Sequence, residues 1–294
     1  MKLLALDIGG SAVKYGTVDS FGTVFDHGSF PTPSTLEELL KHMQDVHALY
    51  PCSACAISAP GSVNSDTGVI SGISAVPYLH GPDIRTLISR QLGIPAEIEN
   101  DANCAALAEL WLGEAQDIQD ACVVIIGTGI GGALIKNRSI HSGHTRSAGE
   151  FGLMITDRDL HTGAYHVWSY HSTIKTVARA EEEAGLPAGS LNGEILFQQA
   201  ESNPIFRKHV SEFCHAAAVG LLNLQQIYDP ELILIGGGIS AQPGLLEQIE
   251  AAVDETIGDH AGIFVKPNLR ICRFRSQANL IGAVFHYLRK QELL

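Results

Sequence analysis

The chain has 294 residues, 45% of them hydrophobic, 17% charged and 6% aromatic, a balance that excludes disorder, collagen-like structure and short disulfide scaffolds. Nineteen Lys and Arg against 32 Asp and Glu leave a formal charge of -13, and no Lys/Arg-rich run offsets it, which argues against nucleic acid or an anionic membrane as partner. An anionic substrate would need a local site of backbone N–H groups and a metal ion, and the 30 glycines are able to build one.

Residues 2–7 read as a buried strand, Gly9 and Gly10 as a turn, and residues 12–18 as a second strand in hairpin relation to the first. Apolar residues at Leu36, Leu39, Leu40, Met43 and Val46 have helical spacing, after Thr35 as N-cap with Glu38 three residues on. A strand over 54–58 runs into Pro60-Gly61, and residues 82–92 read as a helix stopped by Gly93 and Pro95. A short strand over 96–99 leads to Asn100-Asp101, then an alanine- and leucine-rich helix over 102–112. Residues 121–126 are again a strand, followed by Gly127, Gly129, Gly131 and Gly132 and by the apolar 133–135, which repeats the N-terminal arrangement.

The stretch 142–173 is rich in glycine, histidine and polar residues and has no clear period. Residues 174–184 and 206–228 read as helices, the second long enough to anchor an interface or to be buried within its own domain. Asp229-Pro230 ends it; 232–235 is a strand, 236–238 a turn, 244–257 a helix, 269–274 a strand and 279–291 a closing helix. No apolar run reaches ~18 residues, and the opening residues lack the pattern of a signal peptide, so a cytoplasmic location with free thiols at the six cysteines is expected. Hairpins followed by alternating strands and helices, twice at a spacing of about 115 residues, imply a duplicated α/β unit with the site between the copies. The expected domains are 1–115 and 116–278, with residues 279–294 returning to the first.

Asp7 at a strand end, Gly9, Gly10, Ser11 and Lys14 suit a nucleotide with Mg²⁺: the glycines admit phosphate oxygens to the backbone and the hydroxyl bonds them. An ordinary Gly-Gly hairpin turn explains the same residues about as well. Gly127-Thr128-Gly129-Ile130-Gly131-Gly132 resembles a dinucleotide fingerprint only superficially, because a strand and not a helix follows. Two glycine hairpins together are a more specific signal, able to hold the β- and γ-phosphates of ATP with Ser11 and Thr128 assisting. Gly236, Gly237 and Gly238 stand between strand and helix, where backbone could lie flat against a purine or ribose, or simply turn with positive φ. Asp101, where a strand hands over to a helix, is either a catalytic base or a helix N-cap.

In order along the chain, LALDIGGSAVKYGTVD, ISAPGSVNSDTGVI, IENDANCAALAE, IGTGIGGALI, SAGEFGLM and LILIGGGIS resemble the motifs of the ROK sugar kinases (repressor, open reading frame, kinase), within the actin, Hsp70 and hexokinase-like superfamily. The resemblance implies two ribonuclease H-like domains flanking a nucleotide and sugar cleft, and a homodimer. It makes Asp101 the general base acting on a sugar hydroxyl, Asn100, Glu150 and Gly61 sugar-side residues, and the three glycine segments the ATP site. Asp7 would orient Mg²⁺ through water.

The chain departs from the family at the zinc site. Most relatives carry a zinc site of a His and a CxCGxxGC cluster; here Leu153 stands where the His belongs, no cysteine lies between Cys122 and Cys214, the glutamate that follows the cluster is absent too, and Trp168-Ser169 occupies that neighbourhood. No structural zinc is expected, and His141, His144, His161, His166 and His171 match no recognised site. Cys52-Ser53-Ala54-Cys55 is a lone CxxC with no second pair. Tyr78 and His80 fall in a loop expected to form pocket wall, where Tyr78 could stack on a sugar or belong to the core. The expected function is an ATP- and Mg²⁺-dependent kinase for the 6-hydroxyl of glucose or a related sugar, the alternatives being N-acetylmannosamine or a β-glucoside as substrate. A regulator that binds sugar without turnover is the reading from another class; a DNA-binding repressor would need a helix-turn-helix ahead of Asp7.

Overall fold

The computed structural model describes residues 1–158 and 161–294. These form two compact units: Met1–Asp117 with Ser142–Ser147 and Ser276–Leu294, and Ile118–His141 with Ala148–Arg275.

In the first unit β1 (Lys2–Ile8) is buried from Leu3 onward, as an unbroken apolar run must be when both faces of a sheet are covered. It pairs antiparallel with β2 (Ala12–Asp19), which pairs with β3 (Val24–Pro31). After α1 (Leu36–Leu49), β4 (Cys55–Ala59) runs parallel to β1. A small hairpin follows, β5 (Ser62–Asn64) and β6 (Val69–Ser71), then α2 (Ile84–Leu92), β7 (Ala96–Asn100) parallel to β4, and α3 (Asp101–Leu112). The resulting strand order is β3-β2-β1-β4-β7. Thr35 caps α1 by accepting from Glu38 N (3.3 Å), and Asp83 caps α2 by accepting from Thr86 N (2.9 Å), which is why α2 starts later than Pro82.

The period of two decides what β1 touches. Leu4, Leu6 and Ile8 join Leu39, Met43, Ile57 and Ile88 on the side of α1 and α2. Leu3 and Ala5 join Cys104, Leu280, Val284 and Leu288 on the other.

The second unit repeats the plan: β8 (Ala121–Ile126), antiparallel β9 (Ile130–Lys136) and β10 (Ser139–Ile140), with the order β10-β9-β8-β13-β14 once β13 (Leu232–Gly236) and β14 (Leu269–Ile271) add in parallel. The stretch without a clear period contains a two-stranded ribbon, β11 (Ile155–Arg158) and β12 (Tyr165–Val167), and two 3-10 turns, Phe151–Leu153 and Trp168–His171. Four helices follow, α4 (Thr173–Glu183), α5 (Gly193–Gln199), α6 (Pro204–Tyr228) and α7 (Leu245–Ile257). α6 begins at Pro204 because Asn203 accepts from Ile205 N and Phe206 N, and Pro is suited to the first helical position. Phe206, Val210, Phe213, Ala217, Leu221 and Leu224 place this helix in the core of its own unit.

The closing helix α8 (Ala278–Lys290) packs on α3, β1, β4 and β7 of the first unit. Among the described residues, no helix is long and apolar enough to cross a membrane.

Candidate functional site

In the first unit the parallel strands β1, β4 and β7 are neighbours, so their C-terminal ends share one edge of the sheet, the edge where open α/β sheets bind ligands. Asp7 stands near the end of β1, 7% exposed. Its Oδ1 accepts from Ser58 Oγ (2.9 Å) on β4 and from Asn279 Nδ2 (2.9 Å) on α8, and Lys14 Nζ lies 3.8 Å from Oδ2. Two neutral donors fix one oxygen and leave the other on the side of Lys14.

That turn closes with Gly9 N donating to Ala12 O (3.0 Å), and Thr32 Oγ1 donates to Gly9 O (2.6 Å) from the residue after β3. Neither Gly9 nor Gly10 has positive φ. Their need for glycine is room: a Cβ would stand 2.9 Å from Ala12 O at Gly9 and 2.6 Å from Ala75 Cβ at Gly10. Gly10, Ser11 and Lys14 are exposed above the buried carboxylate.

The β7–α3 junction corrects one expectation. The N-cap of α3 is Asn100, whose Oδ1 accepts from Asn103 N (3.1 Å); Asp101 is already the first helical residue. Asp101 Oδ1 accepts from Ala102 N (2.8 Å) and from Asn100 Nδ2 (2.9 Å), and a carboxylate in the first turn is favoured by the helix dipole. Asn100 Nδ2 also donates to Gly61 O (2.9 Å), so the turn after β4 and the junction after β7 are tied together. Gly61 has φ +96, a backbone that disfavours side chains, so its contribution is its carbonyl.

Glu99, one residue before Asn100, is buried, and its Oε1 accepts from Asn100 N (2.7 Å) and Asn103 Nδ2 (2.9 Å). Burial raises its carboxyl above the ordinary range. Sequence reasoning missed it; its signal is the alternation Glu97-Ile98-Glu99 in a strand with both faces covered.

In the second unit the glycines sort by cause. At Gly132 a Cβ would overlap Val123 O and come within 2.7 Å of the Phe151 ring, and at Gly149, φ +101, it would press on Gly132. These two glycines let the backbone before Glu150 lie against β9, bringing Glu150, which is exposed, beside the glycine hairpin. Gly237, φ +90, presses on Ile126 O, joining the third glycine segment to the end of β8. Gly127, Gly131 and Gly238 are different. A Cβ there meets nothing within 4 Å, and none of the three has positive φ. No protein atom requires glycine at these positions, whereas a ligand approaching the backbone would.

Gly129 lies near Ser169, and Ser169 Oγ accepts from Ile130 N (3.0 Å), so Ser169 braces the glycine hairpin. Thr128 is exposed at the hairpin tip.

The candidate residues therefore divide. Asp7, Gly9, Gly10, Ser11, Lys14, Gly61, Asn100 and Asp101 belong to the first unit, and Gly127, Thr128, Gly129, Gly131, Gly132, Glu150, Gly236, Gly237 and Gly238 to the second. Asp7 fits Mg²⁺, an oxygen-seeking ion that takes one or two carboxylates alongside waters and phosphates. Among the described residues no group of three or more His, Cys, Asp or Glu could hold a metal ion. His166 stacks on Tyr170 at 4.2 Å, and burial lowers His171 from the usual imidazole range. Tyr78 donates to Pro33 O (2.9 Å) and packs against the core, and His80 pairs with Ser74 Oγ (2.8 Å).

Comparison with known proteins places the chain in a family. The model of the ROK family matches residues 3–290. A β-glucoside kinase of Listeria monocytogenes is 34% identical over 299 residues, covering 99% of each chain, and a β-glucoside kinase of Klebsiella pneumoniae is 33% identical over 296 residues, covering 98% of this chain and 96% of the other. The crystal structure of a ROK family protein from Streptococcus pneumoniae TIGR4 in complex with sucrose superposes with a TM-score of 0.92 at 34% identity, covering 100% of both chains. A match that begins in β1 and ends in α8, on two sheets whose strand ends carry the glycines and carboxylates described above, makes this chain a member of the ROK family.

Proposed function

We propose that the chain is an ATP- and Mg²⁺-dependent sugar kinase whose acceptor is the 6-hydroxyl of the glucosyl ring of a β-glucoside. The observation that carries the reading is the oriented Asp101 carboxylate at the β7–α3 junction, in a chain 34% identical from end to end to a β-glucoside kinase.

Asp101 accepts the proton of the hydroxyl as its oxygen attacks the γ-phosphorus; the new O–P bond forms as the bridging bond to the β-phosphate breaks, and ADP leaves. Both donors of Asn100 Nδ2 are engaged, by Gly61 O and Asp101 Oδ1, so Asn100 orients the base and offers sugar only the remaining acceptor capacity of its Oδ1. Glu150 accepts from sugar hydroxyls. Gly9, Gly10, Ser11 and the hairpin Gly127–Gly132 donate to phosphate oxygens, Lys14 adds a cation, and Gly236–Gly238 lie along the adenosine. Mg²⁺, held through water by Asp7, would neutralise charge on the phosphates.

The test is ADP release with Mg²⁺-ATP across glucose, cellobiose, an aryl β-glucoside, mannose, N-acetylmannosamine and N-acetylglucosamine. The reading expects kcat/KM to be highest for a β-glucoside and to collapse in Asp101→Asn. Preference for a free hexose would replace the substrate assignment, and absence of turnover on every sugar by folded, ATP-binding protein would refute the kinase.

A further inference from the structure

We propose that Glu99 is a positioning residue for the base, acting through the backbone of Asn100 and the side chain of Asn103. The proposal rests on the reading of Asp101 as base.

One oxygen of Glu99 holds the residue before Asp101 and the residue two after it: Oε1 accepts from Asn100 N (2.7 Å) and from Asn103 Nδ2 (2.9 Å). Asn100 is the residue whose Nδ2 orients Asp101 Oδ1, and Asn103 N closes the cap on Asn100 Oδ1 (3.1 Å). A clamp on both sides of a side chain fixes its backbone, and hence the direction in which its carboxylate leaves the helix. Ordinary helix capping does not require it, because Asn100 already caps α3.

The other oxygen, Oε2, faces His286 Nδ1 of α8 at 3.6 Å, and both side chains are about nine-tenths buried. Burial beside Lys290 and Arg289 lowers His286 to about 4, so its ring is neutral near pH 7, while burial raises Glu99. Burial beside the neutral imidazole leaves Oε1 to the two donors from the base segment. The register of His286 is itself fixed one turn earlier, where Gly282 lies directly against the Cys104 carbonyl of α3.

The expected results follow from what each variant accepts. Glu99→Gln keeps a carbonyl oxygen for both donors and stays within about threefold of wild-type kcat, whereas Glu99→Leu removes the acceptor and loses about 100-fold in kcat with KM for ATP unchanged, the scale of a small misplacement of a reacting group. Asn103→Ala opens one side of the clamp without burying an unpaired carboxylate, and lowers kcat about tenfold at an unchanged melting temperature. In the Asp101→Asn background, Glu99→Leu causes no further loss of kcat, because no base remains to be positioned; a purely structural role would add its effect in either background.

Wild-type kcat in Asn103→Ala together with either wild-type kcat in Glu99→Leu or a full additional loss in the Asp101→Asn background overturns the proposal and leaves the base reading intact. Wild-type turnover by Asp101→Asn itself overturns the base reading, and the proposal with it. Should Glu99→Leu fail to fold, Asn103→Ala and Glu99→Gln decide the matter alone.

Discussion

Gly282 in the middle of α8 sets two physical rules against each other. By helix propensity, replacing it with alanine should stabilise the protein by about 1 kcal/mol. By packing, a Cβ there would overlap the Cys104 carbonyl oxygen and stand 2.9 Å from Cys104 Cα, where ordinary contact begins at 3.4 Å. The obstructing atoms are backbone on both sides, so no rotamer relieves the overlap and α3 and α8 must separate. Overpacking of this kind costs about 1–3 kcal/mol, and a backbone-on-backbone contact belongs at the upper end. The net expectation for Gly282→Ala is a loss of about 2 kcal/mol, or about 5 °C in Tm for a chain of this size. Urea unfolding followed by tryptophan fluorescence reads the change locally, since Trp111 of α3 stacks on Phe285 of α8 at 5.2 Å. Gly262, where a Cβ meets nothing within 4 Å, is the control, and Gly262→Ala should change stability by less than about 0.5 kcal/mol. A Gly282→Ala protein as stable as wild type, or more so, would refute the packing argument.

Asp101→Asn should lower turnover about 100- to 10,000-fold while leaving Tm and ATP affinity in place, as measured by coupled assay, thermal melt and calorimetry. Gly131→Ala and Gly132→Ala should separate ligand contact from packing: the first keeps its stability but weakens ATP binding about tenfold through a lost phosphate approach, and the second, pressed against Val123 and Phe151, unfolds at lower urea. Asn279→Ala should free Asp7 Oδ1 from one of its two donors and weaken Mn²⁺ binding, followed by electron paramagnetic resonance, with sugar KM unchanged. The buried pair at the β7–α8 contact carries a pH signature. His286 has its folded value lowered to about 4 from 6.5, so the unfolded chain binds more protons between these limits, and its contribution, about 3 kcal/mol, is complete above pH 6.5 and lost as pH falls toward 4. Glu99 is raised, so its linkage runs the other way, stability falling as pH rises above its ordinary 4.5. The two oppose in wild type, and the His286 slope should emerge when Glu99→Gln is compared with Glu99→Gln/His286→Phe across pH 4–7; equal slopes in the two variants would rule it out.

Strands buried on both faces were legible because burial leaves a continuous apolar run. β8 spans Ala121–Ile126, the run read from the sequence, and β1, β4 and β13 differ from it by a residue or two at their ends. β3 was not legible: it is an edge strand carrying Asp26-His27-Gly28, mostly exposed on both faces, so no alternation marks it. The three-residue strands β5 and β6 and the seven-residue α5 are too short to repeat their period more than once or twice. In the site, glycine segments and the Asn100-Asp101 pair could be recognised because their chemistry is local. Ser58, Ser169 and Asn279 could not, since each acts on a residue distant in the chain; Asn279 and Asp7 are 272 positions apart. Asp101 could also be read as the cap of α3, and only the geometry shows the preceding Asn100 in that place.

The two sheets of this actin-like α/β fold have the same strand order, hairpin first and parallel strands after, yet they place opposite chemistry at their strand ends. In the first unit the ends of β1 and β7 carry carboxylates, Asp7 and Asp101, each held by side-chain or backbone donors. In the second, residues 127–132 and 236–240 contain no acidic residue at all; their polar groups are backbone N–H and C=O with Thr128 and Ser240. For a chain of formal charge -13 this division has a reason. A polyphosphate gains nothing from the net field of such a protein, which repels it over a Debye length of about 8 Å at physiological salt. At contact distance the balance is set instead by fixed dipoles, and glycine segments free of carboxylates present N–H groups without the like charge that would cancel them. The proton acceptor and the metal ligand of the proposed reaction stand in the first unit, and the carboxylate assigned to the second, Glu150, lies outside its glycine segments, so the overall acidity of the surface does not decide whether an anionic substrate is bound.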